Sequence, residues 1–176
     1  AHPLASEVGI NILKKGGNAA DATIAVQFAL AVVYPSAGNI GGGGFFVYRT
    51  KDGQCSTLDF REKAPLKSTR DMYLDSSNNV IKNLSLYSHL AVGVPGTVDG
   101  MVNIHEKHGQ LPWEELVQPA IDLATNGFEL TRLEANKLNR FNKTKGKINK
   151  NSEYYKEHFS EGDSIFLPQL SKTLIL

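Results

Sequence analysis

The stretch Phe45-Phe46-Val47-Tyr48-Arg49-Thr50-Lys51-Asp52-Gly53-Gln54-Cys55-Ser56-Thr57-Leu58-Asp59-Phe60-Arg61-Glu62 decides the fold class. Aromatic and β-branched residues fill its two arms, and Asp52-Gly53 between them is a hairpin turn signal. The pattern predicts strands over residues 45–50 and 54–62. Ala64-Pro65 breaks the second strand, since proline has no N–H to give to a ladder. Two-residue alternation in that strand puts Leu58 and Phe60 on one face and Asp59 and Arg61 on the other.

Helical patterns flank the hairpin. Leu4, Val8, Ile12 and Leu13 share a face over residues 4–15, with Lys14 and Lys15 at the negative end of the helix dipole and Gly16-Gly17 as terminator. Asn18 is placed to cap a second helix over 19–33, which is apolar nearly all round and therefore expected to be buried. After the hairpin, residues 68–90 are mixed and polar, with a turn at Asn78-Asn79 and another at Val94-Pro95-Gly96. Thr97 then opens a helix to His108, and Pro112 and Gly127 bracket one over 113–126. Further helical candidates are 131–145, 152–158 and 168–176. Helices, then a hairpin, then helices indicate an α+β protein, read as a single domain over 1–176, rather than a chain of βαβ units.

Composition narrows the function. The 176 residues are 41% hydrophobic and 21% charged with a net charge of +1, so no global field draws the chain to nucleic acid or to an anionic membrane. The longest apolar stretch, 22–33, is shorter than a membrane span, and no basic-then-apolar leader opens the sequence. Cys55 is the sole cysteine and is read as a small packing residue. The chain opens on Ala1-His2-Pro3 and stops on the uncapped apolar run Thr173-Leu174-Ile175-Leu176, ends that read as those of a fragment.

Few residues offer chemistry. The run Gly41-Gly42-Gly43-Gly44 follows a helix and precedes a strand, the reverse of a phosphate loop, and Phe45-Phe46 stand where Lys-Ser/Thr would be. It reads as a place where backbones approach closely, or as the lining of a pocket. His105 and His108 lie one helical turn apart without further ligands at metal spacing, so they read as exposed residues at a helix end. Lys137, Arg140, Lys143, Lys145, Lys147 and Lys150 form a basic stretch without a nucleic-acid module, and a solvated face is its ordinary reading. Arg61 is sharper: a guanidinium at a strand end, beside a loop, can grip a carboxylate through two parallel hydrogen bonds. Spacing alone favours a salt bridge to Asp59 instead.

Five segments, taken in order, resemble gamma-glutamyltranspeptidases. They are His2-Pro3-Leu4-Ala5-Ser6 running into Gly16-Gly17-Asn18-Ala19-Ala20-Asp21-Ala22; Pro35 through Asn39-Ile40-Gly41-Gly42-Gly43-Gly44-Phe45; Asp59-Phe60-Arg61-Glu62-Lys63-Ala64-Pro65; Gly93-Val94-Pro95-Gly96-Thr97; and Pro119-Ala120-Ile121-Asp122-Leu123-Ala124. The pattern is most similar to bacterial members and covers essentially the whole chain.

The resemblance implies part of the four-layer αββα sandwich of N-terminal-nucleophile hydrolases. It implies a precursor that cleaves itself into a large and a small subunit, this chain being the front part of the large one. The family nucleophile is the threonine freed at the start of the small subunit, its α-amine acting as base. No Thr-Thr pair occurs here, so no catalytic residue is expected in this chain. By the same resemblance Arg61 binds the α-carboxylate of the γ-glutamyl group and Glu62 supports it. Glutathione and related γ-glutamyl compounds are the implied substrates, the small-subunit part of the precursor the implied partner, and the periplasm or exterior the implied location. No metal or other cofactor, nucleic acid or membrane partner is implied. A glutaryl-specific relative such as a cephalosporin acylase, or a non-catalytic module binding a small acidic ligand, are the alternative readings.

Overall fold

The computed structural model describes residues 1–143 and 158–176. Its elements run α1 (Pro3–Lys14), α2 (Ala19–Val33), β1 (Phe45–Arg49), β2 (Cys55–Asp59), α3 (Leu84–Tyr87), a 3-10 turn (His89–Ala91), α4 (Thr97–His108), α5 (Trp113–Asn126), β3 (Phe128–Glu129), α6 (Arg132–Phe141), β4 (Ser164–Ile165) and α7 (Pro168–Ile175). This is the α+β class read from the hairpin. The chain divides into two compact units, one of Ala1–Asn39 with His108–Leu176, the other of Ile40–Lys107.

The first unit is helical. The Nδ1 of His2 accepts from the N–H of Leu4 at 3.2 Å and caps α1, with Pro3 in the first helical position where its missing N–H is harmless. Gly16 ends the helix with φ +95, a conformation that a Cβ would strain. The buried face of α1 is Ala5, Val8, Gly9 and Ile12, while Leu13 is half exposed, so the expected stripe is shifted toward the smaller residues. The shift has a steric reason: a Cβ on Gly9 would lie 2.8 Å from a methyl of Val26, so α1 and α2 meet at that point.

Helix α2 is the core of this unit, with Ala20, Ile24, Ala25, Ala29 and Val32 fully enclosed. Burying a side chain of the size of Ile24 contributes about 1.5–3 kcal/mol. Its N-terminus is a full capping box: Asn18 Oδ1 accepts from the N–H groups of Ala20 and Asp21, and Asp21 Oδ2 accepts from the N–H of Asn18. Both partners also reach the stretch from His108 to Gln110. Asn18 Nδ2 donates to the carbonyl of His108, and Asp21 Oδ1 accepts from the N–H of Gln110 at 3.0 Å. Helix α5 packs on α2, where Trp113 meets Phe28 edge to face with ring centroids 5.6 Å apart. The two-residue strands β3 and β4 pair antiparallel, Phe128 with Ile165 and Glu129 with Ser164.

The second unit holds the hairpin. Strands β1 and β2 pair antiparallel with Phe45 opposite Asp59, Val47 opposite Thr57 and Arg49 opposite Cys55. The face that carries those residues is exposed, which corrects the reading of Cys55 as a packing residue: its thiol is open to solvent. His105 and His108 are half buried rather than exposed, because α4 turns that side inward beside buried Met101 and Ile104. Among the described residues no group of histidine, cysteine and carboxylates could hold a metal, and no helix is long and apolar enough to cross a membrane. The helix expected over 131–145 is α6 as far as Phe141, and its residues 144–145, with nearly all of the 152–158 candidate, lie outside the described residues.

Candidate substrate-binding site

In the second unit, three of the quoted segments converge on Arg61. Strand β2 ends at Asp59, earlier than the expected end at Glu62, and the next residues are held by isolated backbone bonds to other segments. The N–H of Phe60 donates to the carbonyl of Gly44 at 3.0 Å. Lys63 and Val94 exchange both of their backbone hydrogen bonds, at 3.1 and 2.8 Å. The N–H groups of Gly96 and Thr97 both donate to the carbonyl of Gly42. Thus Gly42 and Gly44, the Asp59–Lys63 stretch and the start of α4 form one backbone-bonded knot.

The result is an open cleft of about 640 Å³ lined by Asp59, Phe60, Arg61, Glu62, Lys63, Val94, Pro95, Gly96 and Asp99. Arg61 and Glu62 are both exposed to it. The salt bridge that spacing favours does not form. Asp59 Oδ1 accepts from the backbone N–H of Arg61 at 3.0 Å, in a tight turn of the kind aspartate makes at strand ends. The guanidinium lies over the ring of Phe45, 5.7 Å from its centroid, and forms no ion pair among the described residues. A stacked guanidinium keeps its in-plane N–H groups available for a planar anion.

Lys63 and Asp99 also line this cleft, and neither was singled out by sequence. Their signal was present but indirect: Lys63 belongs to the same segment as Arg61, and Asp99 sits in the first turn of a helix that starts at a quoted segment. A second cavity, about 210 Å³, lies in the first unit between the end of α2, β3 and α6. Its lining is mostly apolar, and its two charged side chains are engaged. Glu134 lies 2.8 Å from His2 Nε2, and Lys137 sits over the ring of Tyr34.

Comparison with known proteins covers nearly the whole chain. The family described as gamma-glutamyltranspeptidase matches residues 5–176. A glutathione hydrolase proenzyme of Escherichia coli (strain K12) is 45% identical over 174 residues, 97% of this chain and 30% of that protein. A glutathione hydrolase proenzyme of Pseudomonas sp. (strain A14) is 58% identical over 130 residues, 74% of this chain and 23% of that protein. The crystal structure of Helicobacter pylori gamma-glutamyltranspeptidase matches with a TM-score of 0.93 at 46% identity, over 99% of this chain and 51% of that one. The chain therefore spans less than a third of these curated relatives and about half of the solved one.

Proposed function

Because the chain belongs to the gamma-glutamyltranspeptidase family, we propose that it is part of the large subunit of a γ-glutamyltransferase and glutathione hydrolase. The complete protein cleaves the γ-glutamyl amide of glutathione and related compounds. It then passes the γ-glutamyl group to water, an amino acid or a peptide. Its partner is the small-subunit part of the same precursor, and its place is the periplasm or the cell exterior.

In this reading the reaction divides between the two parts. A threonine outside these 176 residues attacks the amide carbon, its α-amine takes the proton, and backbone N–H groups stabilise the oxyanion. Arg61 holds the substrate's α-carboxylate through paired hydrogen bonds and so places the amide at the nucleophile. Glu62, adjacent in the cleft, supports that site. The observation that carries the assignment is the state of Arg61. Its guanidinium is exposed in a cleft and stacked on Phe45, and the carboxylate nearest in sequence is committed to a backbone N–H.

The test is Arg61→Ala and Arg61→Lys in the complete protein, assayed on a γ-glutamyl anilide. Removing a charged hydrogen-bond partner of this kind costs on the order of 2–5 kcal/mol. Arg61→Ala is therefore expected to lower kcat/KM about 30-fold or more, with Arg61→Lys intermediate because a point charge cannot copy the fork. Near-normal kcat/KM in both variants refutes the assignment. Faster turnover of a glutaryl anilide than of the γ-glutamyl anilide assigns the protein to the cephalosporin-acylase-like alternative.

A further inference from the structure

The four glycines between α2 and the hairpin are not equivalent. A Cβ built on Gly41 meets nothing within 4 Å. A Cβ on Gly43 would lie 2.6 Å from the carbonyl oxygen of Phe60, 2.7 Å from Cα of Arg61 and 2.8 Å from the N of Glu62. From another part of the chain, a Cβ on Gly96 would overlap that same Phe60 carbonyl oxygen and lie 3.3 Å from the carbonyl oxygen of Arg61. All of these are backbone atoms, which cannot rotate aside as a side chain would. Gly43 and Gly96 are also tied to each other's surroundings, since Gly96 N–H donates to the carbonyl of Gly42 at 2.8 Å.

We propose that Gly43 and Gly96 are positioning residues for Arg61, forming a backbone slot that sets where its guanidinium meets the substrate carboxylate. The inference rests on the carboxylate-binding role assigned to Arg61 above and extends it to two residues with no side chain. Either Cβ must displace the Phe60-Arg61 backbone, and a shift at Cα is carried to the end of a long side chain. Paired hydrogen bonds to a carboxylate tolerate little misalignment, so a displaced guanidinium weakens the grip on the substrate and shows chiefly in KM.

Gly43→Ala, Gly96→Ala and Gly41→Ala, made in the complete protein, test this with the γ-glutamyl anilide. The first two are expected to raise KM about tenfold or more while kcat stays within about threefold, and Gly41→Ala to leave both unchanged. Because the glycines act through Arg61, adding Gly43→Ala or Gly96→Ala to Arg61→Ala is expected to produce little further loss in kcat/KM. Full additivity in that background overturns the proposal, as does a loss confined to kcat. So does failure of both glycine variants to accumulate as folded protein while Gly41→Ala does, since their role would then be structural. The two readings fail separately. Near-normal Arg61→Ala refutes the carboxylate grip. Impaired Arg61→Ala beside near-normal glycine variants refutes the slot alone.

Discussion

Asp21 is a fully enclosed carboxylate in a helical core, and its two oxygens accept from two backbone N–H groups, those of Asn18 and Gln110. Removing such an acceptor strands both donors, each at about 1–3 kcal/mol. Asp21→Ala is therefore expected to destabilise the complete protein by about 3 kcal/mol, read from its chemical-denaturation midpoint, with Asp21→Asn milder because one acceptor survives. A change under about 1 kcal/mol for the alanine variant would show that water replaces both bonds. Asp59 illustrates the opposite limit of local reading. Its sequence distance from Arg61 suits a salt bridge, and only the exit of the chain from β2 determines that its oxygen meets the backbone N–H instead. The chemistry a guanidinium offers at position 61 was legible, whereas its freedom from Asp59 was not.

Among the elements, those with local punctuation were the legible ones. Helices α2, α4 and α5 begin and end where Asn18, Thr97, Pro112 and Gly127 predict. Strand β2 is shorter than its pattern: Phe60 N–H still meets Gly44 in the hairpin register, but Arg61 N–H then turns back to Asp59 Oδ1 and Lys63 pairs with Val94. Strands β3 and β4 were illegible because two residues carry no period and their pairing spans over thirty positions. The turn at Asn78-Asn79 was found from residue type, and Asn78 adopts φ 63 there. In that turn the N–H groups of Asn79 and Ser77 donate to Asp75 Oδ1 at 2.9 and 2.8 Å, and they hold its carboxyl below the ordinary carboxylate range. A depressed folded-state value contributes stability above the unfolded value that is lost as pH falls through the folded one. Titration followed by NMR is expected to show Asp75 protonating below an unstructured aspartate, with the Ser77 and Asn79 amides moving on the same curve. An ordinary titration midpoint would dissociate the turn from the carboxylate.

At the scale of the molecule, the proposed function divides the reaction between two parts. The cleft around Arg61 belongs to the unit Ile40–Lys107, and the nucleophile is proposed to lie in polypeptide outside these 176 residues. The 176-residue chain alone is accordingly expected to release no arylamine from a γ-glutamyl anilide; measurable release above the uncatalysed rate would require a nucleophile within it. The convergence of the glycine run, the Arg61 segment and the start of α4 was not visible in the sequence, since only tertiary backbone bonds such as Lys63 with Val94 bring them together. The Phe28–Trp113 contact has an optical consequence. Trp113 is the sole indole in the chain and is half buried at the α2–α5 seam, whereas the unit that carries Arg61 has none. Excitation of the chain at the red edge of its ultraviolet absorption therefore lights the helical unit selectively. A red shift of the emission marks the parting of α2 from α5, leaving the tyrosines Tyr48, Tyr73 and Tyr87 as the separate chromophores of the cleft-bearing unit.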